Sequence, residues 1–313
     1  MKTHEILYQT LAQAQDYVNG EQLAQEMGLS RTSIWKAIQR LEKEGIEIES
    51  VKNRGYKILS GDLLIPQVIE ELCPLTVSYN PQCQSTQLDA KNAMEVGGQS
   101  ATLYLAPFQT AGKGRFGRDY FCPSQGGIYM SLHLKPNLPF DQAPAYTLMV
   151  AAAIYKALKN LALLDVDIKW VNDIYYKGKK VGGILTEAIS SIETGLITDV
   201  IIGVGLNFSI TDFPRELKDK AGSLFGSQPP ITRNELIAEI WKEFFNSPEE
   251  ELIYLYKQRS LVLGKEVCFE QNQTSYQGLA KDISDSGQLL VQLTDGQERW
   301  LNSGEISLKQ WDL

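Results

Sequence analysis

Histidine is almost missing from this chain of 313 residues, which holds only His4 and His133. A histidine-dependent catalytic triad therefore has little to draw on. Cysteine is sparse too. Cys73, Cys83, Cys122 and Cys268 are scattered and form no CxxC pair. Neither a tetrahedral zinc site nor a disulfide framework is expected, and the thiols suit a reducing cytoplasm. No stretch approaches the roughly 18 apolar residues of a membrane-spanning helix, so no membrane partner is expected. The opening MKTHEILYQTLAQ has no long apolar core and no small-residue cleavage site, so a secretory signal is not expected. With 25 glycines and 12 prolines, the chain is neither collagen-like nor low-complexity.

What remains is an ordinary globular mix, 43% hydrophobic and 22% charged. At roughly 100–200 residues per domain, the length predicts two or three domains. A net charge of −8 argues against a protein that coats nucleic acid non-specifically. The distribution says more than the sum. Residues 1–30 carry one lysine against four acids, whereas residues 31–57 carry seven Lys/Arg against four Glu.

The basic segment sits in a recognisable pattern. Leu7, Leu11, Ala14 and Val18 fall at helical spacing and predict a first helix. A second starts near Gly20, and Ser30 reads as the N-cap of a third that carries Ile34, Ile38 and Leu41 on one face. The stretch from Gly20 to Gln39 fits a helix-turn-helix: Ala24 is small where helices cross, and Gly28 suits a positive φ. Alternation through Ile46, Ile48 and Val51, a turn at Lys52-Asn53-Arg54-Gly55, and a return at Tyr56 and Ile58 predict a basic wing. A winged helix-turn-helix would offer Ser30, Arg31, Thr32, Ser33 and Lys36, with Lys52 and Arg54 of the wing, to DNA. A winged helix that makes only protein contacts is the alternative.

The centre of the chain carries the chemistry. A strand at Thr102–Leu105 leads into GKGRFGR, residues 112–118. GKGRFG formally matches the dinucleotide fingerprint GxGxxG, but no helix follows it, and the Walker pattern lacks its GK[ST]. What is left is a flexible loop with the cations Lys113, Arg115 and Arg118, suited to an anion. A helix is predicted over about Gln142 to Leu161. The segment IKWVNDIYYKGKKVGGILTE then reads as a hairpin that gathers Lys169, Asn172, Asp173 and Lys180. A strand at Val200–Val204 ends in Gly203-Val204-Gly205-Leu206-Asn207, where small residues let a ligand approach backbone. Trp170 and His133 read as packed side chains, and Cys122 as an incidental thiol. Asp173 could either bind ligand or simply fix its hairpin.

GKGRFGR, KWVNDIYYKGKKVGGIL and GVGLN resemble the three signatures of biotin–protein ligases. The winged helix makes the chain similar to the bifunctional class that also represses the biotin operon. The ending GEISL, after short strands from Val267, resembles that class's SH3-like C-terminal domain. The resemblance spans essentially the whole chain. It implies an α+β multidomain fold: a winged helix-turn-helix over 1–62, an α/β ligase domain with a mixed sheet over 63–260, and an SH3-like small β-barrel over 261–313.

It also implies a reaction. ATP activates biotin to biotinyl-5'-AMP, and a lysine of a carrier protein then takes the biotinyl group. Lys180 matches the lysine near the biotin carboxylate and the α-phosphate, and Arg115 the loop arginine that holds the adenylate. Ser85, Thr86, Gln87 and Gln109 match biotin-contacting positions, with Lys113, Gly114 and Gly183 beside them. Gln87 stands where relatives carry Asn, and Lys113 where many carry Arg. Arg118, Lys169, Asn172, Asp173 and Asn207 map to the ATP and adenylate side. Mg²⁺ would come mainly with the ATP phosphates, without a dedicated cage, Asp173 being the candidate protein ligand. The segment Ile210–Gly226 corresponds to a loop that folds over adenylate. Implied partners are the biotin carboxyl carrier protein of acetyl-CoA carboxylase and operator DNA. The DNA would be bound by a homodimer, with biotinyl-5'-AMP as corepressor. Two readings stay open beside this one: a lipoate-type ligase, and a ligand-responsive DNA-binding regulator with little or no ligase activity.

Overall fold

Apolar residues at helical spacing open the chain, but the helix they form is shorter than the spacing reaches. In the computed structural model, which describes residues 1–271, 273–302, 304 and 306–308, α1 (Thr3–Gln13) stops before Ala14. Val18 does not continue it. Its backbone instead pairs with Tyr56, at 2.9 and 3.0 Å, which ties the wing to the helices. Gly55 permits this close approach: it sits at φ +114°, and a Cβ there would lie 2.0 Å from the Val18 carbonyl oxygen. The other expectations here are met. Asn19 caps α2 (Gly20–Glu26), Gly28 turns at φ +63°, and the Ser30 hydroxyl accepts from Ser33 N at 3.1 Å to start α3 (Arg31–Lys43). Ile34, Ile38 and Leu41 pack on Leu7, Leu11 and Leu23 in a core of their own. Each such side chain contributes about 1.5–3 kcal/mol by leaving water. β1 (Glu47–Val51) and β2 (Gly55–Ser60) form the wing.

A connecting helix α4 (Pro66–Leu72) leads to β3 (Thr76–Tyr79), α5 (Thr86–Glu95), β4 (Thr102–Ala106), β5 (Gly127–Leu134) and the short β6 (Leu138–Pro139). The helix expected from Gln142 begins later, as α6 (Tyr146–Ala162). Pro144 is the reason: it holds Ala143 extended at φ −71°, ψ 127°, and delays the first turn. The hairpin follows as β7 (Asp167–Lys169), β8 (Asp173–Tyr176) and β9 (Lys179–Ser190), and then β10 (Leu196–Asn207). These strands form one sheet in the order β3-β4-β5-β10-β9-β8-β7, with β6 beside β10. β3 and β4 run parallel and the other neighbours antiparallel, so the sheet is mixed. α6, apolar on nearly every face, packs against β9 and is covered by α7 (Arg233–Asn246) and α8 (Glu249–Gln258).

β11 (Glu266–Gln271), β12 (Thr274–Ile283), β13 (Leu289–Leu293), β14 (Glu298–Leu301) and β15 (Ile306–Leu308) make the expected C-terminal β-domain. It is all antiparallel, ordered β14-β13-β12-β11-β15. Glu305 of the GEISL ending and residues 309–313 lie outside the described residues. This domain shares its buried cluster with the central sheet. Trp170 joins them as a packed side chain, donating its indole N–H to the Gly287 carbonyl at 2.9 Å.

One buried joint connects the winged helix to the centre. Arg233, at the start of α7, donates from its backbone N and from Nε to the Asp62 carboxylate, both at 2.6 Å, and from Nη1 to the Gly127 carbonyl at 3.1 Å. Next to it, the Asn234 side chain accepts from Ile65 N at 2.9 Å and donates to the Leu63 carbonyl at 2.7 Å. Among the described residues no helix is long and apolar enough to cross a membrane.

Candidate functional site

A cavity of about 690 Å³ opens between the central sheet, the glycine loop and the C-terminal sheet. Its two ends differ chemically. One end is neutral and hydrogen-bonded. Gln109 Oε1 accepts from Thr86 N at 2.7 Å, and the Thr86 hydroxyl lies 2.9 Å from that of Ser131. Ser131 in turn donates to Gln87 Oε1 at 3.0 Å, and Gln87 Nε2 donates to Glu187 at 2.8 Å. Burial would raise the Glu187 carboxyl, but hydrogen bonds from Lys91 and Gln87 outweigh it and hold the group below its ordinary range. Ser85 leads into α5 without using its side chain as a cap, and it faces the cavity. Such a chain of paired groups can orient a polar ring system.

The other end is cationic. Lys180 Nζ lies 2.7 Å from Asp173 Oδ1, and Arg115 Nη1 donates to Asn172 Oδ1 at 3.1 Å. Asn172 is held in turn by its Nδ2, which donates to the Ile184 carbonyl at 2.9 Å. Lys169 and Arg118 complete this wall. The register explains how Lys180 arrives there. Tyr175 pairs with Lys180 but Ile174 pairs with Gly182, so Val181 is an extra residue in β9. That bulge turns Lys180 and Gly183 to one face although they are three apart. A Cβ added at Gly183 would lie 3.6 Å from both Asp173 Oδ1 and Lys180 Cε. The missing side chain keeps the space beside the ion pair open.

The glycine loop folds back on itself through Gly114 N to the Arg118 carbonyl at 2.8 Å and Tyr120 N to the Gly112 carbonyl at 3.0 Å. Lys113, on its outer side, is paired with Asp119, whose carboxyl the Lys113 ammonium holds low. Gly205 leaves room for the Tyr120 ring, which a Cβ would meet at 2.6 Å, and the Tyr120 hydroxyl donates to the Gly205 carbonyl at 2.9 Å. Burial pushes the Tyr120 phenol upward, so it stays neutral.

Of the residues proposed from sequence, all but one on the two substrate sides line this cavity. The exception is Asn207. It is buried behind the wall and donates to the Gly222 carbonyl at 2.9 Å. Gly222 belongs to the segment 210–226, which is stitched to β9 by Lys180 N to the Lys220 carbonyl and Gly222 N to the Lys180 carbonyl, both at 2.9 Å. Asn207 thus supports that segment. His133 is fully buried and its Nε2 lies 2.7 Å from Asp199, so it is a packed residue. Cys122 takes a hydrogen bond from Gln109 at 3.3 Å, and burial pushes its thiol up to about 11. Among the described residues, no group of three His, Cys, Asp or Glu side chains could hold a metal.

Two features of the cavity wall lie outside the sequence motifs. Ser131 is the polar residue of the buried strand GIYMSLHL, and that misfit was a readable signal. Cys268, Phe269, Glu270, Ser275 and Ser307 bring the C-terminal sheet into the cavity wall, and no local pattern marks them.

On the winged helix, Thr32 and Lys36 are exposed at the start of α3, and Lys52 at the wing tip. Arg31 pairs with Glu21 at 2.6 Å, largely in water, where such a pair is worth at most about 1 kcal/mol. Ser30 and Ser33 are engaged with each other in the cap. Arg54 reaches Asp16 at 3.1 Å and lies 4.2 Å above the Tyr17 ring.

Known proteins resemble this chain over most of its length. The profile of the biotin/lipoate A/B protein ligase family matches residues 80–207, that of an HTH domain residues 3–57, and that of the biotin protein ligase C terminal domain residues 262–309. The bifunctional ligase/repressor BirA of Bacillus subtilis (strain 168) is 32% identical over 309 residues, covering 94% of each chain. The protein of the same name from Escherichia coli (strain K12) is 27% identical over 319 residues, again covering 94% of each. Among solved structures, the Aquifex aeolicus biotin protein ligase in complex with biotin and ATP superposes with a TM-score of 0.61 at 26% identity. That match covers 75% of this chain and 99% of the other.

Proposed function

This chain belongs to the biotin protein ligase family, and from that premise we propose that it activates biotin with ATP and transfers it to a lysine of a carrier protein. We divide it at 62/63 and 260/261 into a DNA-binding, a ligase and a C-terminal domain. The observation that carries the reading is the cavity's two-ended chemistry, joined at Lys180 and Gly183.

The biotin ring system takes the hydrogen-bonded end, at Ser85, Thr86, Gln87 and Gln109. Its carboxylate points to Lys180. The α-phosphate of ATP meets the cationic end, with Arg115, Arg118, Lys169 and Asn172. A carboxylate oxygen attacks the α-phosphorus, the bond to the β-phosphate oxygen breaks, and pyrophosphate leaves. Two anions must approach each other, so a preorganised cation between them stabilises the transition state more than the ground state. In the second step a neutral lysine amine of the acceptor attacks the acyl carbon. AMP leaves, and the amine loses a proton. Mg²⁺ would come with the nucleotide and neutralise its phosphates. Asp173 fits a shared ligand, since Mg²⁺ in such sites takes one or two carboxylates besides phosphate oxygens.

The winged helix extends the reading to repression. Biotinyl-5'-AMP acts as corepressor: it orders the glycine loop and the segment 210–226 and favours a homodimer, which reads a palindromic operator with two winged helices. The acceptor is the biotin carboxyl carrier protein of acetyl-CoA carboxylase, and the setting is the cytoplasm.

Incubation with biotin, MgATP and a biotin carrier domain tests the ligase reading. The expected result is a carrier heavier by one biotinyl group. Transfer from lipoate but not from biotin would overturn it in favour of the lipoate-type reading, and no transfer from either would leave a regulator without ligase activity.

A further inference from the structure

α3 buries Ile34, Ala37, Ile38 and Leu41 and leaves Arg31, Thr32, Trp35, Lys36 and Gln39 exposed. Trp35 is out of place in that company. Half of its surface (50%) faces solvent, and it is the only large apolar side chain exposed on this helix. At helical spacing, Arg31, Trp35 and Gln39 make one row and Thr32 and Lys36 the next. The indole therefore stands in the middle of a polar, cationic face.

The other described residues leave that half uncovered. The winged helix meets the central domain at the far end of α3, where Gln125 packs beneath Gly45. Trp35 lies nine residues before Glu44, about 13 Å along the helix axis. The exposed neighbours of Trp35 on α3, Arg31, Thr32, Lys36 and Gln39, are polar or charged, so the indole is not part of a contiguous apolar patch. Lys36 beside it has no carboxylate partner among the described residues, and seven Lys/Arg fall in residues 31–57. That charge fits the phosphates of a duplex. The apolar feature a duplex offers in its major groove is the thymine C5-methyl group.

We infer that Trp35 is a specificity-determining residue of the DNA-binding surface, packing its indole on a thymine methyl in each half-site. The inference rests on the DNA-binding reading and sharpens it. Lys36 and Arg31 position the helix on the backbone, while Trp35 distinguishes sequences. Arg31 can exchange Glu21 for a phosphate, because that pair is exposed.

The test uses the full chain with biotin and MgATP, and a duplex selected by it from a randomised library. Each thymine of that duplex is replaced in turn by deoxyuridine, which removes only the methyl group. Wild-type protein should lose about fourfold in affinity at one thymine per half-site, the worth of one buried methyl. Trp35→Ala should bind the selected duplex at least tenfold more weakly. It should show no penalty for that deoxyuridine, and it should keep the wild-type affinity and salt slope on random-sequence DNA. Trp35→Phe should retain part of the methyl dependence. Biotin transfer, unchanged in both variants, reports that the central domain is folded, and wild-type affinity for random-sequence DNA reports the same of the winged helix, which has its own core. Equal deoxyuridine penalties in wild type and Trp35→Ala would overturn the inference. So would a Trp35→Ala variant that loses self-association while reading DNA normally, since the indole would then cover a protein surface. A wild-type protein that selects no duplex would bring down the DNA-binding reading itself, which is a distinguishable failure.

Discussion

Replacing Lys180 with alanine separates folding from chemistry. In the fold, the ammonium is one partner of a pair with Asp173 at 2.7 Å, and the two side chains are 38% and 24% exposed. Water screens a pair so placed, and its contribution to stability is at most about 1 kcal/mol. For a protein of this size that is a fall of about 2–4 °C in the unfolding temperature. In the proposed reaction the same ammonium would face a carboxylate and a phosphate that repel each other. A unit charge about 4 Å away in an effective dielectric of about 20 is worth roughly 4 kcal/mol before desolvation. Loss of one preorganised donor typically costs about 10²–10³ in rate. Lys180→Ala is therefore expected to slow pyrophosphate release by about 10²–10³ while melting within a few degrees of wild type. Biotinyl-5'-AMP supplied ready-made bypasses the impaired step, so transfer to the carrier should recover to within about tenfold of wild type. Pyrophosphate release within about tenfold of wild type by a folded variant would remove Lys180 from the mechanism. No recovery with supplied adenylate would show that Lys180 acts in adenylate binding or transfer as well.

Other outcomes follow from the same site. Arg115→Gly loses the contact with Asn172 and should release adenylate faster, read as biotinylation of unrelated lysines in a trapping assay. Gly205→Ala forces the Tyr120 ring away from a position 2.6 Å from the new methyl; a destabilisation of about 1–3 kcal/mol and weaker biotin binding by calorimetry are expected. Burial raises the Cys73 and Cys122 thiols to about 11 and the Cys83 thiol to about 12, against an ordinary 9.0. At pH 8 the partly exposed Cys122 thiol should alkylate roughly 100-fold more slowly than a free thiol, and faster as pH rises toward 11, by mass spectrometry. Arg31→Ala should abolish operator binding in a gel-shift assay and leave biotin transfer unchanged.

Local chemistry made the winged helix legible: a serine cap, a glycine at positive φ and an apolar face can all be read within one short segment. The same logic overran at Val18, because its strand partner Tyr56 sits 38 residues on and no periodicity reveals it. The hairpin of Lys180 was legible as a cluster of polar residues, but its geometry was not. Alternation places Lys180 and Gly183 on opposite faces, and only the bulge at Val181 brings them together. Asn207 reads from sequence as a residue of the adenylate side, yet it lies behind the cavity wall and works through Gly222. The wall contributed by the C-terminal sheet depends on how two domains pack, which single-sequence patterns do not encode.

The joint between Asp62 and Arg233 spans 171 positions of sequence and touches neither the cavity nor the recognition helix. Its consequence is metrical. A reader hung on a flexible tether can swivel to reach half-sites at many separations. A reader bolted through a buried ion pair cannot, so two copies in a dimer would work as a caliper of fixed jaw width. B-DNA turns once in about 10–10.5 base pairs, so about five extra base pairs between half-sites carry the second to the opposite side of the duplex. No bending of a rigid joint brings it back. The spacing that such a repressor accepts is then written in a carboxylate and a guanidinium far from any base.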